Sequence, residues 1–182
     1  MTKRKAPGRK KPTRQSRDRS LDGERILTVD SGKEAGVALW TFIPSKANLD
    51  SVHAIDGEDA RSMLRLIQAL RPDRVIVEIP FGGEANFNSF RTMSVRYGAW
   101  LTLANLLAIP SEGVWPATWQ SKIPGKEHRQ ERESLGELYK RYAESIAGRE
   151  LTADEAAAVG VGVWYLQERG YVALPGRQKA NS

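Results

Sequence analysis

Ile26-Leu27-Thr28-Val29-Asp30, then Ser31-Gly32-Lys33-Glu34-Ala35-Gly36, then Val37-Ala38-Leu39-Trp40-Thr41-Phe42: the reading of this stretch decides the fold. Residues 25–30 read as a buried strand. Residues 31–36 are a polar, glycine-bearing turn. Residues 37–42 are a second strand, so the pair reads as a β-hairpin. An acid, Asp30, closes the first strand.

Working outward, residues 51–55 suggest a third, short strand. Residues 58–71 carry Met63, Leu64, Ile67 and Leu70 at helical spacing. Arg71-Pro72-Asp73 ends that helix. Residues 74–79 are apolar almost throughout, as a central strand covered on both faces would be. Residues 80–87 form a glycine-rich loop, 88–108 a long apolar helix, and 112–115 a short strand closed by Pro116. Residues 118–126 read as a basic loop. Residues 127–147 are an amphipathic helix with Leu135, Leu138, Tyr142 and Ile146 on one face. Residues 152–169 are a last helix. A hairpin meander followed by alternating helices and strands implies an α/β fold, with a mixed sheet and helices on its faces.

Four acids stand at element ends: Asp30, Glu78 after Val75-Ile76-Val77, and Asp154 and Glu155 at the opening of the last helix. An ionised carboxylate resists burial unless something pairs with it, and a divalent cation is a natural partner. In an open α/β sheet, the C-terminal strand ends border the functional crevice, which is where Asp30 and Glu78 fall. Two-metal phosphodiester cleavage needs several carboxylates converging from different elements. Other readings stand beside this one. Asp30 opens Asp-Ser-Gly, and Asp is favoured as the first residue of a turn. Thr152-Ala153-Asp154-Glu155 matches a capping box with Thr152 at N-cap and Glu155 at N3, and acids there also complement the helix dipole.

The 182 residues suit one domain with a full core. No apolar run approaches the ~20 residues of a membrane span, and no apolar signal segment is visible near the start. Cysteine is absent, which excludes disulfides and thiolate metal sites and fits a reducing, cytoplasmic or DNA-associated setting. With two histidines, a metal would be held by oxygen, favouring Mg²⁺ or Mn²⁺. The net charge of +6 is unevenly spread. Residues 1–20 hold nine of the 28 basic residues, Lys10 and Lys11 among them, and one of the 22 acids, giving +8. The other 19 basic and 21 acidic residues give −2. Such an arm, poor in apolar residues, reads as disordered and attracts phosphates without reading sequence.

Three segments, ILTVDSGKEAGVALW (26–40), VIVEIPF (75–81) and ADEAAAVGVGVWYL (153–166), resemble RuvC-type Holliday-junction resolvases of the ribonuclease H-like superfamily in order and spacing. The resemblance covers about 25–166. It implies a ribonuclease H-like mixed sheet, an antiparallel meander plus parallel strands flanked by helices. The domain would span 23–175, between a basic arm (1–22) and a flexible tail (176–182). It implies a Mg²⁺-dependent, or Mn²⁺-dependent, endonuclease that resolves branched DNA by two-metal hydrolysis. Asp30, Glu78 and Asp154 match the family's metal-binding, catalytic acids. The second acid of its C-terminal Asp-x-x-Asp motif is missing, because Ala157 stands there. Glu155 is an adjacent, longer substitute; three ligands plus waters are an alternative, and a junction binder that cuts poorly is another. A nuclease acting on RNA or RNA–DNA hybrids is a further reading.

By the same resemblance Phe81 contacts the unstacked junction centre. Phe87 and Phe90 lie near the glycine-rich loop, within reach of bases for stacking, although helix packing is the stronger reading of Phe90. Gln120 stands where the family often has a lysine, leaving Lys122, Lys126 and Arg129 as candidates for phosphate contact. The 88–108 helix corresponds to one that forms a twofold dimer, implying a homodimer. Deleting residues 1–20 is expected to weaken DNA binding and flatten its salt dependence. A titration across salt concentrations checks this, and unchanged binding would assign the arm another role.

Overall fold

The computed structural model describes residues 23–43, 46–81, 87–122 and 133–174. Lys10, Lys11, Lys126, Arg129, the glycine-rich loop and both tails lie outside the described residues, as does the side chain of Phe87. The hairpin forms as expected: β1 (Arg25–Asp30) runs antiparallel to β2 (Glu34–Ile43), with Leu27 opposite Leu39 and Asp30 opposite Gly36. The third strand, β3 (Lys46–Asp56), pairs with β2 along its length and is much longer than the 51–55 expected. Its exposed and half-buried polar positions hide the apolar alternation that marks a strand.

Helix α1 (Ala60–Leu70) is capped by Asp59, whose side chain accepts from the Arg61 amide, and ends at Arg71 in the left-handed region. It buries Met63 and Ile67 and returns the chain to β4 (Arg74–Glu78), which lies parallel to β1. Helix α2 (Phe87–Leu106) leads to β5 (Ser111–Val114), parallel to β4. Then come α3 (Pro116–Gln120), α4 (Leu135–Ala147), α5 (Ala153–Glu168) and β6 (Val172–Leu174), the last parallel to β3. The six strands run in the order β5-β4-β1-β2-β3-β6, a mixed sheet flanked by helices.

Three elements differ from expectation. Residues 116–120 are helix rather than loop, because Pro116 opens α3, where its missing N–H costs nothing. Helix α4 begins at Leu135 rather than at 127, since Ser134 and Glu137 close a capping box. Residues 172–174 are a strand, too short to be read without its partner β3.

Alternation in the strands divides the core in two. Ile26, Ala38, Trp40 and Ile76 pack beneath α4 and α5. Leu27, Val29, Val37, Val75 and Val77 pack against α1 and α2. Among the described residues no helix is long and apolar enough to cross a membrane. One polar tie crosses the first core. Trp40 Nε1–H donates to Thr28 Oγ1 at 3.2 Å, and the Thr28 hydroxyl donates to the Ala158 carbonyl on α5 at 2.7 Å. Thr28→Val keeps the shape but leaves the buried Trp40 indole N–H without its acceptor and removes the tie to the Ala158 carbonyl. It should cost about 1–3 kcal/mol, measurable by urea denaturation; an unchanged midpoint would mean that this tie contributes nothing.

Candidate active site

The strand pattern places the first two acids. Side chains alternate faces along a strand, so Asp30 shares the face of Ile26 and Thr28, and Glu78 that of Ile76. Thr28 and Val29 pair with Ile76 and Val77 in parallel. One step further, Asp30 and Glu78 end neighbouring strands on the face that α5 covers. Glycine supplies the third. A Cβ at Gly36 would overlap the Asp154 carbonyl, so the start of α5 rests directly on β2. The residue opposite Asp30 in the hairpin is therefore also the seat of Asp154.

The carboxyls influence one another. Burial pushes the Asp30 pKa up from 3.8 to about 7, with a further push from Asp154 and relief from the Gly32 backbone bond. Burial pushes Glu78 up from 4.5 to about 8, and Asp30 and Asp154 add to it. The Trp119 indole opposes that rise, donating to Glu78 Oε2 at 2.9 Å. Asp154 is raised by burial and by the charge of Glu34. The Ser31 hydroxyl donates to the Glu78 carbonyl at 3.3 Å, tying the loop after β1 to the end of β4.

Glu155 is not brought to these three. Its Oε2 accepts from the Thr152 amide at 2.9 Å, completing a capping box, and its Oε1 accepts from Arg149 Nη2 at 2.9 Å. Burial raises its pKa, but the bonds from Arg149 and the Thr152 amide bring it below the ordinary value overall. Both oxygens are committed to the fold. Glu155 thus serves the capping box and Arg149, and Asp154 stands one residue earlier on α5. Phe81 is 73 % exposed at the exit from β4, so it is not a core residue. Phe90 is 38 % exposed. Lys122 pairs with Glu168 at 3.4 Å, both exposed. Sequence reading missed Trp119 and Glu34. Nothing local marks either one, because their roles come from neighbours distant in sequence.

A hard divalent cation fits the donor chemistry. Asp30 feels the charge of Asp154, Glu78 feels those of Asp30 and Asp154, and no basic side chain of the described residues contributes to the state of either Asp30 or Glu78. As they stand, the described residues include no group of three or more His, Cys, Asp or Glu that could hold an ion together. The fit therefore rests on oxygen donors and mutual repulsion, which a cation would relieve.

Among solved structures, the chain is similar to Thermus thermophilus RuvC in complex with Holliday junction substrate. The TM-score is 0.60 at 17 % identity, over 81 % of this chain and 97 % of that one. It is also similar to a Fowlpox virus resolvase in complex with Holliday junction DNA. There the TM-score is 0.51 at 14 % identity, over 80 % and 98 % of the two chains. The fold is thus that of RuvC-type resolvases. No family model matches the chain, and no curated protein matches it.

Both raised pKa values bear on stability. The folded chain holds protons on Asp30 and Glu78 that the unfolded chain has already released. Their contribution is complete below about pH 4 and is lost as pH rises through about 7 and about 8. Metal-free protein should melt at a higher temperature near pH 5 than near pH 8.5. Millimolar Mg²⁺ should raise the melting temperature at the higher pH and have little effect at the lower. Scanning calorimetry in EDTA and in Mg²⁺ checks both signs.

Proposed function

We propose that this chain is a divalent-metal-dependent endonuclease that cuts branched DNA, with the four-way Holliday junction as its substrate. One observation carries the reading: Asp30, Glu78 and Asp154 lie close enough for one to raise the pKa of another at one end of a sheet whose fold is that of junction resolvases. Asp30, Glu78 and Asp154 would hold Mg²⁺, or Mn²⁺. When bound, the metal supplies a water of lowered pKa and a counter-charge for the phosphodiester oxygens. The chain's own groups do the rest. The three acids fix where the phosphate lies relative to the sheet. Phe81, exposed three residues after Glu78, offers a ring on which an unstacked base can lie. Lys122, Lys126 and Arg129, with Lys10 and Lys11 in the arm, neutralise phosphates.

A homodimer completes the proposal, since a junction has paired strands to cut. Helix α2 supports it. Trp100 and Ala104 are buried against the sheet, whereas Val95 and Leu106 are 68 % and 76 % exposed on its outer side. A Cβ at Gly98 would meet open space, so a second helix could approach closely there. The domain would span 23–175, acting on DNA in the cytoplasm.

A second reading, a junction-binding protein that cuts weakly, is favoured by Ala157. An assay separates the two. Labelled four-way junction, linear duplex and RNA–DNA hybrid are each incubated with Mg²⁺ or EDTA. Symmetric Mg²⁺-dependent nicks confined to the junction are expected. Retarded but uncut junction would favour the second reading, and cleavage of the hybrid would favour a ribonuclease. Glu78→Gln should lower cutting by at least about 100-fold, since losing a charged metal ligand is more severe than losing a ligand's own hydrogen-bond partner, which costs about 10–100-fold. Junction binding should survive; full activity in this variant would remove Glu78 from the site.

A further inference from the structure

Trp119 is 2 % exposed, and its indole N–H reaches Glu78 Oε2 at 2.9 Å. The ring is held from two other elements. A Cβ at Gly160 on α5 would stand 2.5 Å from Trp119 Cζ3 and 3.0 Å from Cε3, so the indole lies flush on the helix backbone. The Tyr139 ring of α4 packs at 5.7 Å and 58°, and its hydroxyl donates to the Gln120 carbonyl at 3.3 Å. Glu78, Trp119, Tyr139, Ala156 and Ala157 line one cavity of about 420 Å³. Ala157, where the sequence pattern led one to look for a second acid, is thus a wall of the space that holds Trp119 and Glu78.

We propose that Trp119 is a positioning residue of the candidate metal centre. Its indole N–H fixes the Glu78 carboxylate, supplying by hydrogen bonding part of the order that an acid at 157 would have supplied by ligation. The proposal rests on the reading of Glu78 as a metal ligand. Its physical basis is the rigidity of the donor. An indole has two side-chain torsions, and both are pinned here by Gly160 and Tyr139. The donor occupies Oε2 from one side and leaves Oε1 to the site. It also adds no negative charge, whereas another carboxylate would add repulsion to three acids that already repel. Partners that orient a metal ligand are commonly worth about 10–100-fold in metal affinity.

The test uses the full chain uniformly labelled with ¹⁵N, without DNA, titrated with Mg²⁺ and followed by NMR. Five tryptophans give five indole signals. That of Trp119 is assigned from the spectrum of Trp119→Phe or, should that variant fail to fold, from its through-space contact with Tyr139. The Trp119 indole signal should move saturably, with the same midpoint as the backbone amides of Asp30 and Asp154. Calorimetry should show Trp119→Phe binding Mg²⁺ about 10-fold more weakly. Loss of buried ring volume should lower its melting temperature in EDTA, so both affinities are compared at a temperature well below either transition. An unmoved indole signal while those amides shift would overturn the positioning role and leave the metal centre standing, as would unchanged affinity in Trp119→Phe. If neither the amides nor the indole respond to Mg²⁺, the metal-centre reading fails and this proposal with it.

Discussion

The contact on which the rest depends is the bare backbone approach of α5 to the sheet. Ordinary side chains keep a helix and a sheet apart. Here Gly36 on β2 lets the Asp154 carbonyl sit where a Cβ would be, and Gly162 on α5 admits the Trp40 indole in the same way. Between them, Thr28 bonds the Ala158 carbonyl, satisfying a buried hydroxyl and pinning the helix along its axis. A helix held this close lands its first turn beside the end of β1. Because Gly36 pairs with Asp30 in the hairpin register, the same residue sets the strand end and seats the helix start. The electrostatic coupling of these acids is a consequence of packing, with no long loop needed to carry a side chain there.

Packing of this kind creates an electrostatic cost that the fold handles unequally. Glu155 is neutralised locally: a capping box and Arg149 take up both its oxygens. Asp154 is one residue earlier, about 100° around the helix, so it cannot share those partners. Its charge acts on Asp30 and Glu78 instead, and the unfilled donors of the first helical turn lie near it. Two adjacent acids thus take opposite roles because of helix geometry alone. The acid with a cation beside it is structural. Asp30 and Glu78 have no basic partner among the described residues, and on the proposed reading an external cation takes that place.

Much of this was legible in the sequence, for identifiable reasons. The β1–β2 hairpin, β4 and α5 are dense in apolar residues, and their ends are marked by acids, glycine or proline, so local pattern and tertiary role agree. The register of Asp30 and Glu78 follows from period-two alternation once the two strands are known to be parallel neighbours. The full length of β3 was not legible, because half its residues are polar and its pairing with β2 and β6 holds it in place. Pro116 and the Ser134-x-x-Glu137 box were readable start signals for α3 and α4 that a search for basic residues passed over. Glu34 and Trp119 carried no signal of their own. Each acts on an acid more than 40 residues away, or more than 100 in the case of Glu34, and only the folded chain makes them neighbours.

Ala157 now has a second side. Read as a motif, it is a lost carboxylate. Read in the fold, it belongs with Ala153, Ala156 and Gly160 to a small-residue stripe on α5 at spacings of three and four, which places them on one helix face. At Gly160 the stripe touches the indole face, where no Cβ could fit, and at Ala157 it bounds the cavity that Trp119 and Glu78 share. Small volume on that face is a condition for seating a large ring beside Glu78. On the proposed reading, the departure at 157 and the indole at 119 are one adjustment: a ligand position given up, and a rigid, uncharged donor set against a ligand that remains. An acid at 157 would bring a third carboxylate to a cavity already bounded by Glu78 and Glu137. It would also compete with Glu78 for the indole N–H. The count of acids alone therefore misjudges this site, whose order depends on what each carboxylate is tied to.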